Sequence, residues 1–97
     1  MQTASSLSPN CAALLEQFSK NANKGQAFAA FADFEQFCKF AVLAHVEKTN
    51  LDDSSLIEIL KSQGWPADQA DVVAKRYKAA KYMLKMHDHV RAGNASF

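Results

Sequence analysis

Three groups of residues are of types that do chemistry: His87-Asp88-His89, the two cysteines Cys11 and Cys38, and Ser54-Ser55 beside Asp52 and Asp53. A helix that grips a metal presents its histidines three or four positions apart, on one face. The i, i+2 spacing of His87 and His89 turns them roughly 160° apart on a helix, so no metal site is expected there. His45 sits in an aromatic stretch and reads as a partly buried structural histidine. Neither cysteine belongs to a CxxC pair, and both are expected to be reduced thiols. The serines and acids fall at capping or surface positions, and no nucleophile has a base at a suggestive spacing. A glycine-rich phosphate loop and an HExxH helix are also missing from the sequence. These patterns predict no enzyme, no cofactor and no metal.

What remains is a charge pattern. Between Pro66 and Arg91 the bases are Lys75, Arg76, Lys78, Lys81, Lys85 and Arg91, against Asp68, Asp71 and Asp88, within a chain of net charge +1. A major-groove reader needs Asn, Gln or Arg on one helix face to meet base edges. Here the exposed face is mainly lysine, with no short helix-turn-helix pair ahead of it. The plain reading is a solvated face; the functional reading is contact with a protein partner through Trp65, Lys75, Lys78, Lys81 and Lys85. Nucleic-acid binding is the alternative, recognisable by a steep loss of affinity with salt.

The elements that must position these residues are helices. Ser8-Pro9 is a helix start, with Ser as cap and Pro in the first turn. Leu14, Leu15 and Phe18 mark one face of that helix, which ends near Lys20; Asn21–Gly25 is a loop. Across Gln26–Lys48, Phe28, Phe31, Phe34, Phe37, Phe40, Ala41 and Ala44 advance by three or four, the period of a helix face. Cys38, Val42, Leu43 and Val46 widen the stripe past half the circumference, which predicts a central helix touched on several sides. A break near Ala32-Asp33, making two helices, is the other reading. A lipid or ligand box lined by these phenylalanines is a second functional alternative.

Thr49–Asp53 is a polar break, after which Asp52 or Asp53 caps a helix carrying Leu56, Ile57, Ile59 and Leu60. Gly64 ends it in the left-handed conformation, and Trp65-Pro66 turns the chain into a last helix reaching Val90 or Arg91. Ala70, Val73, Tyr77, Ala80 and Leu84 line that helix. The fold class predicted is all-α: a compact bundle of four to five helices with a long C-terminal helix. Residues 1–7 are expected to be a disordered lead-in, 8–92 one domain and 93–97 a disordered tail.

Composition fits that frame. The 97 residues are 48% apolar with three Gly and two Pro, enough for one core and one domain. The first residues lack the basic and apolar regions of a signal peptide, and no run approaches the ~20 apolar residues of a membrane span. A cytoplasmic protein without membrane insertion is expected, and the Asn94-Ala95-Ser96 sequon is read as chance.

From Phe34 to Val90 the sequence resembles a known family. Phe37-Cys38-Lys39-Phe40-Ala41-Val42-Leu43 leads to Ser55-Leu56-Ile57-Glu58-Ile59-Leu60, then Gly64-Trp65, Pro66–Ala70 and a long helix with Tyr77 and Leu84. This resembles the helical N-terminal domain of the COMM domain-containing (COMMD) proteins. On that resemblance Phe37, Leu56, Leu60, Gly64, Ala70, Tyr77 and Leu84 are structural, and Trp65 folds back as a plug between two helices. It implies an adaptor in the Commander assembly, which supports endosomal recycling of membrane cargo. Roles in restraining NF-κB and in regulating cullin-RING ubiquitin ligases come with it. The family's strand-rich COMM domain, which mediates dimerisation, is absent from this sequence, so a monomer is expected.

Overall fold

The computed structural model describes residues 7–93, with side chains as far as Val90. Among the described residues there are four helices and no strand: α1 (Pro9–Asn21), α2 (Phe31–Val46), α3 (Asp53–Ser62) and α4 (Ala67–Gly93). The fold is thus the all-helical bundle with a long last helix that the sequence predicts. At 1.5 Å per residue α4 spans about 40 Å. The expected lead-in and tail lie outside the described residues, except for Leu7, which packs against the core, and Gly93, which closes α4. The sequon at Asn94 lies outside them too.

Each helix starts and stops for a local reason. Ser8 Oγ accepts a bond from the Cys11 N–H at 3.1 Å, and Pro9 opens α1. Asp52 caps α3, its Oδ1 accepting from the Ser55 N–H at 2.9 Å. Those backbone and side-chain bonds from Ser55 hold the Asp52 carboxyl below the usual carboxylate range. Gly64, at φ +97°, ends α3: the Trp65 N–H donates to the Leu60 carbonyl and the Gly64 N–H to that of Lys61. Lys48, at φ +56°, ends α2 in the same manner, with the Thr49 N–H donating to the Ala44 carbonyl.

The periodicity over Gln26–Lys48 overstates its helix. Residues 22–30 form a loop, in which the Gln26 and Ala29 N–H groups close turns onto Asn23 and Gln26. Phe28 adopts a left-handed backbone, φ +62°, which no helix continues through. The Asp33 carboxylate then reaches back to the Ala30 N–H and fixes the start of α2. Thr49–Asp53 also differs from expectation, because Leu51 within this polar break is buried.

Contacts along the helices set their directions. Cys11 meets Glu47 and Phe18 meets Phe37, so α1 and α2 are antiparallel. α3 and α4 form a hairpin about Gly64-Trp65. Phe34 meets Arg76, Phe40 meets Tyr77 and His45 meets Asp88, so α2 and α4 run the same way. Phe18, Phe37, Phe40, Leu56, Leu60 and Tyr77 are fully buried between these layers. Each contributes about 1.5–3 kcal/mol of hydrophobic stabilisation.

Candidate docking surface

The partner-contact residues expected from sequence separate into different environments. Trp65 is only 3% exposed. Its ring stacks on Phe18 at 5.4 Å between centroids, and its Nε1–H donates to Ser19 Oγ at 2.8 Å. Ser19 in turn donates to Gln63 Oε1 at 2.5 Å, and the Lys24 ammonium donates to the Ser19 carbonyl while lying over the indole. The indole therefore belongs to the core and is closed to a partner, which corrects its assignment as a contact residue. No feature of the sequence points to Ser19, a polar residue buried at the end of α1 that is joined to Trp65 only by folding.

The lysines divide as well. Lys75 pairs with Asp71 at 3.1 Å within α4, an i, i+4 bridge of small energetic value. Lys81 donates to the Leu51 carbonyl at 3.1 Å and lies 5.0 Å from the Tyr77 ring centroid, tying α4 to the loop before α3. Lys78 and Lys85 are exposed. Of the residues expected to be structural, Phe37, Leu56, Leu60, Ala70 and Tyr77 are buried, and Gly64 adopts the left-handed backbone of the turn. Leu84 is half-buried, at the edge of a groove.

Two buried titratable groups, Cys11 and Tyr77, are shifted from their ordinary values. Burial pushes the Cys11 thiol above its usual value, and its Sγ–H donates to Glu47 Oε1 at 3.3 Å. A thiol so placed is a poor nucleophile. Cys38 is exposed, and both cysteines are free. Burial, with a smaller contribution from Cys11, pushes the Tyr77 hydroxyl up to about 12. Among the described residues no three of His, Cys, Asp and Glu converge as a metal site would require. His45 Nε2 lies 2.5 Å from Asp88 Oδ2, within a polar cleft between α2 and α4 that Lys85 also lines. No buried side-chain nitrogen or oxygen among the described residues lacks a hydrogen-bond partner. The cleft therefore presents no buried polar group in wait of a ligand. The phenylalanines of α2 that face inward, Phe37 and Phe40, pack on one another and on Phe18 and Tyr77.

The feature the sequence conceals lies on the other flank of α2. Phe31 is 81% exposed, and Phe34, Cys38, Val42 and Val46 follow it along the same side of the helix. The stripe predicts a central helix touched on several sides; α1 and α4 do pack on it, but they leave this flank uncovered. On α4 the matching flank carries Val72, Ala79, Met83, Met86 and Val90, with Met83 68% exposed. The two flanks meet in an apolar groove floored by Phe37, Ala41 and Ala80. Arg76 closes one end, its guanidinium 5.4 Å from the Phe34 ring centroid and 5.7 Å from that of Phe28. Contiguous exposed apolar surface of this kind marks an interaction site. The exposed lysines 78 and 85 lie on the opposite flank of α4.

The class these features define is a small helical bundle with a bare apolar face. Comparison with protein-family models, curated proteins and solved structures finds no match to the chain. No helix among the described residues is long and apolar enough to cross a membrane.

Proposed function

We propose that this chain is a protein-binding adaptor domain without catalytic activity, acting in the cytoplasm through the surface of α4 and its neighbour α2. The observation that carries the reading is the apolar groove between these helices, left open by a bundle whose core is otherwise complete. The resemblance to the COMMD N-terminal domain gives the proposal its biological direction: the Commander assembly, endosomal cargo recycling, and the regulation of NF-κB and cullin-RING ligases. Its support is the hairpin. Leu56 and Leu60 pack inward, Gly64 turns the chain, Trp65 seals the corner, and Ala70 lets α4 approach before Tyr77 closes the gap.

Affinity capture from cell lysate with proteomic identification tests it. Met83→Glu should abolish recovery of specific partners, while Lys78→Glu with Lys85→Glu tests the basic flank separately. Lys81 is unsuitable for that purpose because its ammonium holds the Leu51 loop. Recovery of endosomal recycling components supports the family reading. Equal recovery by wild type and both variants contradicts the assignment of binding to these faces.

A further inference from the structure

The bare flank of α4 has a sequence register of its own. Val72, Arg76, Ala79, Met83, Met86 and Val90 are spaced by four, three, four, three and four residues. That is the a/d repeat of a coiled-coil seam, sustained over more than two heptads. It lies beside the residues that pack inward (Ala70, Val73, Ala74 and Tyr77), so α4 has one face for its own bundle and a second for another helix. From these observations we infer that the occupant of the α2/α4 groove is α4 of a second copy of this chain, lying antiparallel, so that the domain forms a two-fold symmetric dimer. The inference rests on the reading of this face as a binding surface and names its partner.

Self-complementarity selects the second copy. In the antiparallel register that alternates a with d positions, Val72 lies opposite Val90 of the second copy, Arg76 opposite its Met86, and Ala79 opposite its Met83. Small Ala79 thus receives large Met83, and the two-fold axis repeats that contact. Arg76, already held over Phe28 and Phe34, presents its aliphatic stem to the seam. The helix dipoles favour the antiparallel sense: it sets the N-terminal end of each α4, where Asp68 and Asp71 lie, beside the C-terminal end of the other, whereas a parallel pairing sets like ends together.

Area and net charge agree. The large apolar residues of this face are 39–81% exposed and together present on the order of 800 Å², about what one partner contributes to a stable interface. A net charge of +1 leaves little repulsion between copies, and the groove floor carries no charge that would select an oppositely charged partner. With α2 flanking each α4, the dimer interface is a four-helix arrangement across the axis.

Sedimentation equilibrium on the full chain tests this. The wild type should show a reversible monomer–dimer equilibrium, Met83→Glu should sediment as a folded monomer, and Lys78→Glu should match the wild type. If Met83→Glu loses its helical circular dichroism, Met86→Lys replaces it. A chain carrying Ala79→Cys and Met83→Cys, with Cys38→Ser, should cross-link on oxidation into a covalent dimer joining position 79 to position 83. A wild type that remains monomeric at every concentration overturns the inference, as does a dimer indifferent to both seam variants. If the wild type is monomeric yet Met83→Glu loses partner capture, the adaptor reading stands and the second copy is excluded as occupant.

Discussion

At the turn between α3 and α4, Trp65 is held on every side: Phe18 beneath it, Lys24 over it, and a chain of bonds from its indole through Ser19 to Gln63. Along the outer flank of α2 and α4, Phe31, Val46 and Met83 are as apolar as anything in the core and touch little. The same residue chemistry is thus spent twice, once on folding and once on presentation. Position in the bundle, and not hydrophobicity, decides which. A residue at the turn should matter to stability, and one on the flank to association.

The largest expected effect follows from the corner. Trp65→Ala removes a buried aromatic ring and should cost about 3–5 kcal/mol in denaturant unfolding. A loss below about 1 kcal/mol would mean that the corner is not where the fold is held. Smaller, and more specific to the polar chain, is Ser19→Ala. It leaves the Trp65 indole N–H without its buried acceptor and should cost about 1–3 kcal/mol. A neutral result would show that water reaches the corner and serves in the hydroxyl's place.

Tyr77 lies in the core between the two regions, and pH probes it. Its hydroxyl ionises near 10 when unfolded and at about 12 in the fold, so the folded pKa is raised. The associated stability is therefore complete below pH 10 and is lost as pH rises towards 12. It amounts to about 2–3 kcal/mol. Tyr77→Phe should flatten this part of the stability–pH curve, and an unchanged curve would place the alkaline loss elsewhere. The acid limb has the opposite sign. Asp52 is depressed by its cap bonds, so its contribution is present above its ordinary value of 3.8 and fades as pH falls through the folded value.

Much of the corner was legible in the residues. Ser8-Pro9, Asp52, Gly64 and Pro66 are local signals, and the chain obeys them because caps and left-handed turns are decided within a few residues. The leucines of α3 and Ala70, Val73 and Tyr77 of α4 were legible from their period. The flank was not, because exposure is a property of neighbours. Phe31 and Phe37 belong to one stripe, and only the placement of α1 and α4 decides that Phe37 is covered and Phe31 is not. Phe28 misled for a different reason: it keeps the helical spacing but sits in a loop whose left-handed backbone brings its ring onto Phe18 and Phe37. Lys81 and Trp65 looked like surface contacts because their tertiary partners, the Leu51 carbonyl and Ser19, lie 30 and 46 residues away.

One region of the molecule folds it, and the inferred seam on its outer flank joins it to another copy. The most direct measurement is the concentration dependence of the unfolding midpoint for the wild type and for Met83→Glu. Binding confined to the folded state raises stability by mass action, so the wild-type midpoint should climb with protein concentration. The Met83→Glu midpoint should stay flat and coincide with the wild type's dilute limit, since that side chain is idle in the monomer. Flat curves for both proteins would contradict the account, as would a Met83→Glu midpoint that falls below the dilute limit at every concentration.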